Sequence, residues 1–414
     1  MDADEKLSGP PRRQPESSQL LLLRGARVVL PAGGADGAAV LVEQGRIARV
    51  LGDGGADDHP SARVFDLRGL TLYPGFVDLH IHGSVGVDTL EASADDLLRV
   101  ARFLASQGVT GWLPTLVPAP EQDYARAVSS IDDLMSRQRI VESSHEDTPA
   151  ARALGVHYEG PFVNEAQCGA LRTRYFRTYA GPENLEGLPT LRAARAAHMI
   201  TVAPEIGGGV ELVRELAARG WLVSVGHTRA DTATLDAARR AGARHMTHFF
   251  NAMSPLHHRA PGPVGWGLVR EDVTCDVIAD GVHCDPLMLR LALRCKTPER
   301  LALISDAVSP AGLGDGDYEI WGERITVEGG RTRNERGSIA GSVITILDAA
   351  RRMLSLGASP HEVAQMTAGV PSRLLGLDAE LGSIEAGKRA DLVALDEQGR
   401  ARLTLVGGRV AYSC

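Results

Sequence analysis

The chain runs to 414 residues, of which 44% are hydrophobic and 23% charged, and its formal net charge is −8. It is too long for one ordinary domain but suits a single large barrel with a smaller companion, and its apolar fraction excludes global disorder. The acidic balance excludes a general nucleic-acid surface, which needs a basic face, but leaves room for a small phosphorylated substrate held by one or two local cations.

Residues 1–19, MDADEKLSGPPRRQPESSQ, are polar and proline-rich without an apolar stretch, and read as a disordered tail rather than a secretory signal. From Leu20 to about Val64 come short β-like runs, LLLRGARVVL, AAVLVEQGRIARVLG and ARVFDLRG, split by Gly and Asp turns. The C-terminal stretch GSIEAGKRADLVALDEQGRARLTLVGGRV repeats that texture. Residues 20–72 and 377–414 are therefore expected to form one small β-sandwich from both ends of the chain.

Residues 73–376 alternate differently. Strand-like runs (GFVDLHIH, GVTGWLPTL, ALGVHYEGPF, MITVAPEI, WLVSVGH, HMTHFFNAM, VTCDVIADGVH, RLALISDAV) precede helical spacings such as ADDLLRVARFLASQG and DTATLDAARRAG. Strands alternating with helices predict an α/β fold, a parallel (β/α)8 barrel. The segment near residue 148 and the glycine-rich stretch Gly312–Gly337 read as loop insertions. The five cysteines (Cys168, Cys275, Cys284, Cys295, Cys414) form no C-x-x-C pair. Neither a disulfide framework nor a cysteine zinc site is expected, and a reducing, cytoplasmic location fits. No apolar run of about 18 residues suggests a membrane span.

In such barrels the functional side chains sit at the C-terminal strand ends. Polar residues recur there: His80 and His82 on the first run, Glu159 on the third, then His227, His248, His283 and Asp306 on the fifth to eighth. One histidine at a strand end is ordinarily a hydrogen-bonded core or surface residue. Four histidine-bearing ends with two acids build a poor apolar core and a good divalent-metal site. The i, i+2 spacing puts His80 and His82 on one face. His59, His145, His198 and His361 fall in polar loops or on helices and read as solvated or structural. His157 and His245 read as packed supports.

PGFVDLHIHG resembles the first-strand signature of the amidohydrolase superfamily, and GSIEAGKRADLVALD its returning C-terminal segment. With HYEGPF, VAPE, VGHTRAD, THFFNAMSPLHHRAPG, ADGVH, SDAVSPAG and GSIAGS in that order, the chain from Leu20 onward resembles the N-acetylglucosamine-6-phosphate deacetylases. The resemblance implies hydrolysis of an N-acetyl amino-sugar phosphate. It implies one or two divalent ions, zinc first with Fe2+, Mn2+ or Co2+ as alternatives. Glu159, His227 and His248 would be the principal ligands, with His80 and His82 open to a second ion. Asp306 would be the catalytic aspartate. Substrate contacts would come from Ala170, Asn251, Ala252, Asp280, Gly281, Val282, His283, Ile339, Ala340 and Gly341. Arg259 would bind the sugar phosphate across a homodimer interface. One departure stands out, because Leu171 replaces a histidine common in the family. It keeps N-acetylgalactosamine 6-phosphate open as substrate, and a weakly active amino-sugar-phosphate-binding protein as a non-enzymatic alternative. A cyclic-amide hydrolase is disfavoured, since no strand-end lysine is present to bridge two metals.

Overall fold

The computed structural model describes residues 20–52, 59–144 and 147–414. The expected tail at 1–19 and His145 lie outside the described residues. Eight strands run parallel in sequence order: β1 Phe76–Ile81, β2 Val109–Leu116, β3 Gly155–Glu159, β4 Ala197–Val202, β5 Leu222–Val225, β6 His245–Met246, β7 Thr274–Ile278 and β8 Leu301–Ile304. β1, β2 and β8 are buried along their whole length, as expected of strands covered on both faces. β8 and β1 close the ring just beyond their ends. There the Asp306 N–H donates to the His80 carbonyl at 2.9 Å, and the His82 N–H to the Ala307 carbonyl at 2.8 Å. The last hydrogen bonds of the barrel are thus made by residues expected in the site.

Helices follow the strands as their sequences dictate. Helix α1, Ala94–Ser106, is fixed by a Ser93–Asp96 capping box and buries Leu97, Val100, Ala101 and Leu104. After β3 three short 3-10 turns, Glu165–Gln167, Thr173–Tyr175 and Pro182–Leu185, replace a long helix. That irregular segment carries Ala170 and Leu171 over the barrel mouth. Close packing of β3 on β4 needs Gly155, where a Cβ would stand 2.0 Å from the Ala197 carbonyl oxygen.

Both ends of the chain build a separate pair of sheets. One has four strands, in the order Arg46–Leu51, Ala39–Glu43, Leu21–Arg24, Arg63–Asp66. The other has six and interleaves the termini: Arg409–Ser413, Ala401–Val406, Leu392–Leu395, Thr71–Pro74, Arg27–Leu30, Gly33–Ala35. Leu21, Val40, Ile47, Leu72, Leu392 and Leu405 share their core. Thr71–Pro74 belongs to this sheet and leads directly into β1. The glycine-rich stretch after β8 differs from its expected loop form. It folds into an antiparallel sheet of Gly316–Ile320, Glu323–Glu328 and Arg331–Asn334. Gly322, Gly329 and Gly330 make its turns at positive φ, while Ile325 and Val327 between them are buried.

Candidate active site

Six side chains from the ends of five strands converge at the C-terminal mouth of the barrel. The Glu159 carboxylate lies 3.0 Å from Nε2 of both His227 and His248, and those two nitrogens are 3.0 Å apart. The other Glu159 oxygen is 3.2 Å from His82 Nε2, while His80 Nε2 is 3.6 Å from the oxygen that His227 and His248 approach; the Nε2 atoms of His80 and His82 are 3.1 Å apart. Asp306 completes the cluster, 3.3 Å from His80 Nε2 and 3.4 Å from His82 Nε2. Two groups able to hold a metal ion therefore share one carboxylate: His80, His82 and Glu159, and Glu159, His227 and His248.

The surroundings decide which ring nitrogens face inward. His227 Nδ1 donates to the Gln167 carbonyl at 2.7 Å, and His82 Nδ1 to the Thr115 carbonyl at 3.3 Å, so each turns an Nε2 lone pair to the centre. Lone pairs and carboxylate oxygens about 3 Å apart repel unless a proton or a cation lies between them. The donor set fits a divalent cation. The cluster attracts positive charge, a proton taking the place a cation would fill. Burial disfavours charge on His82, yet Asp306 and Glu159 hold its pKa up at about 10. Burial likewise opposes Glu159, whose carboxyl is nevertheless kept well below its usual range by His80, His227, His248 and His82.

Several of these residues sit in left-handed backbone. His227, His248 and Asp306 have φ of +47°, +32° and +48°, a conformation that costs a non-glycine residue about 1–3 kcal/mol and tends to occur at functional sites. Local hydrogen bonds hold each one. The Asn164 N–H donates to the His227 carbonyl at 3.0 Å, the His248 N–H donates to the Asp276 carboxylate, and the Ser342 N–H donates to the Asp306 carbonyl at 2.7 Å. Asp276 is itself fixed by His245 Nε2 at 2.8 Å. Glu205 clamps the loop after β5, accepting from Asn164 Nδ2, Thr228 Oγ1 and the Arg229 N–H. Beneath the site His157 contacts Thr201 at 2.8 Å, and burial drives its pKa down to about 3, so it is neutral.

A cavity of about 310 Å³ opens above the cluster. It is lined by His82, Glu159, His227, His248 and Asp306, and by Ala170, Asn251, Ala252, His283, Ile339 and Gly341 from the expected set. Asp280 stands behind His283, taking its Nδ1–H at 2.7 Å and the N–H groups of Val282 and His283 at 2.8 Å each. Gly281 makes the turn with a φ of +77°. Ala340 packs away from the cavity, with Val308, Ile320 and Ile325. Arg259 is exposed, 3.0 Å from His258 Nε2, and within the single chain it does not line the cavity. Leu171 forms part of the wall. Sequence reasoning did not single out Trp321, Ser338 or Ile278, which also line it, nor the supports Asp276 and Glu205. Glu205 had a signal, as the acid ending the β4 run in VAPE. Trp321 had none beyond its place in a segment read as loop. Outside the site, His198 accepts from the Leu191 N–H at 2.9 Å and His361 Nδ1 contacts the Leu30 carbonyl at 3.1 Å.

Residues 71–411 match the amidohydrolase family. The chain belongs to that family. Among amidohydrolase relatives it is 35% identical over 344 residues to N-acetylglucosamine-6-phosphate deacetylase of Bacillus subtilis, covering 82% of this chain and 84% of that one. It is 36% identical over 341 residues to N-acetylgalactosamine-6-phosphate deacetylase of Escherichia coli O157:H7, covering 82% and 87%. It also superposes on a mutant N-acetyl-D-glucosamine-6-phosphate deacetylase from Mycobacterium smegmatis in complex with N-acetyl-D-glucosamine-6-phosphate. There the TM-score is 0.83 and the identity 30%, over 95% of this chain and 100% of that one. The amidohydrolase family is metal-dependent, in keeping with the two His/Glu groups here. Among the described residues no helix is long and apolar enough to cross a membrane.

Proposed function

We propose that this chain hydrolyses the acetamide bond of N-acetyl-D-glucosamine 6-phosphate, giving D-glucosamine 6-phosphate and acetate. The observation that carries the reading is one carboxylate, Glu159, shared by two pairs of histidines, with Asp306 beside one pair at the base of a sugar-sized cavity. The relatives that act on amino-sugar phosphates support it. Glu159, His227 and His248 would hold a tight divalent ion, and His80 and His82 a weaker second one. Zinc suits these ligands, and Fe2+, Mn2+ or Co2+ are alternatives. When bound, such an ion supplies Lewis acidity to water and to the amide carbonyl. Asp306 accepts the proton of the attacking water as the new C–O bond forms, then delivers it to the nitrogen as the C–N bond breaks. His283, with Nδ1 tied to Asp280, keeps Nε2 for a ligand. Asn251, Ala252, Ala170 and the Ile339–Gly341 loop would shape the sugar site. Arg259, a rigid donor fork suited to phosphate, would come from the neighbouring subunit of a cytoplasmic homodimer.

A second substrate, N-acetylgalactosamine 6-phosphate, is favoured by Leu171 in the cavity wall and by the 36%-identical relative named for that sugar. A release assay over both N-acetylhexosamines, with and without the 6-phosphate, tests the reading and ranks the two sugars. Chelation should abolish turnover, and elemental analysis should find less metal in His227→Ala and His248→Ala. No acetate from either 6-phosphate, or full turnover by protein shown to be metal-free, would overturn the proposal.

A further inference from the structure

The sheet inserted after β8 delivers an aromatic side chain to the cavity. Trp321 and Gly322 form a two-residue hairpin turn, with φ of +54° and +77°, the pair of left-handed residues a tight hairpin asks for. Glycine or asparagine adopts the first position readily, whereas a bulky side chain there is uncommon. The indole is also held in place. Its Nε1–H donates to Asp88 at 2.8 Å, and its ring meets His82 edge-on, with centroids 5.4 Å apart and planes at 83°. It lines the same cavity as Glu159, His227, His248 and Asp306. The cavity is also sided. Asn251 and His283 bring hydrogen-bonding groups from the ends of β6 and β7, while Trp321 brings an apolar face to the arc where β8 meets β1.

We propose that Trp321 is a specificity-determining residue that closes the acyl side of the site and limits the substrate to a small N-acyl group such as acetyl. The inference rests on the deacetylase reading above. In the pose this inference assigns, the sugar hydroxyls face Asn251 and His283 and the methyl of the N-acetyl group faces the indole on the opposite wall. A single methylene changes kcat/KM by about 10–200-fold in a tight apolar pocket, so one rigid wall suffices to separate acetyl from propionyl. Asp88, which touches the indole and does not line the cavity, is a positioning residue acting through Trp321.

The test compares kcat/KM of the metal-loaded enzyme for the N-formyl, N-acetyl, N-propionyl and N-butyryl forms of glucosamine 6-phosphate. Wild type should fall about tenfold or more from acetyl to propionyl. Trp321→Ala should raise the propionyl-to-acetyl ratio by about the same factor, and Asp88→Ala should move it in the same direction. Asp88→Asn, whose amide oxygen can still accept from the indole, should restore the wild-type ratio. If Trp321→Ala does not fold, Trp321→Phe carries the same readout, with a smaller rise. An unchanged ratio in a variant that has lost activity on all forms equally would overturn the inference and make Trp321 structural. So would a wild type that accepts butyryl as well as acetyl. A wild type that hydrolyses none of the four would instead refute the deacetylase reading beneath it.

Discussion

Asp306 sits at a φ of +48°, between two backbone hydrogen bonds that join β8 to β1 and to the Ser342 loop. Those bonds use main-chain atoms, so Asp306→Asn should keep both the fold and the donor set of Glu159, His227 and His248. It removes the proton acceptor, and turnover should fall about 10²–10⁴-fold. Retention of more than about a tenth of wild-type turnover, in a variant with its full metal content, would move the proton transfer elsewhere. His80, His82, Glu159, His227, His248 and Asp306 were legible because each ends an apolar run, where a polar side chain has no packing role. Asp276 was less so, although His245 read as a packed support. They support His248 through its backbone N–H, a relation between β6 and β7 that no spacing along the chain encodes.

Among the elements, the barrel strands were readable because buried parallel strands are continuous apolar runs, each followed by a helical period. The sheet after β8 was misread because its turns are crowded with glycine. Its alternation, with Ile325 and Val327 inward and Arg324 and Thr326 outward, was the signal that should have prevailed. The C-terminal hairpin offers a test of electrostatics at this scale. Asp396 follows Leu392–Leu395 and accepts from the Arg400 N–H, Arg400 Nε and Arg402 Nε at 2.8–2.9 Å. Burial opposes its charge, but these donors bring its pKa down to about 2, against an ordinary 3.8. A carboxylate with a depressed folded pKa stabilises the protein above the unfolded value and loses that contribution as pH falls through the folded one. Asp396→Asn should therefore lower the urea midpoint at pH 7 but cost progressively less between about pH 4 and pH 2. A deficit that stays constant over that window would show that the effect is packing rather than charge.

Arg259 is where the single chain and the proposed assembly part. Its guanidinium contacts its neighbour His258 and lies off the cavity, whereas Ala170, Asn251, Ala252, His283, Ile339 and Gly341 line it. If it serves the neighbouring subunit, Arg259→Ala should cut kcat/KM for the 6-phosphorylated sugar far more than for the plain sugar, because the bidentate fork is lost. Mixing Arg259→Ala protomers with Asp306→Asn protomers should then restore activity, since one site of each mixed dimer has both groups intact. No rescue in verified mixed dimers would place Arg259 in its own subunit's site or outside the chemistry. The sequence by itself determined the barrel, the two-ended sandwich and the polar strand ends. Those follow from local periodicity and from the rule that a polar group closing a buried strand needs a partner. Tertiary structure alone decided that Glu159 is shared between two histidine pairs and that Trp321 enters the cavity. It also decided that Leu171 takes part in its wall, because those contacts join segments from separate parts of the chain, where only the closed barrel brings them within a few ångströms.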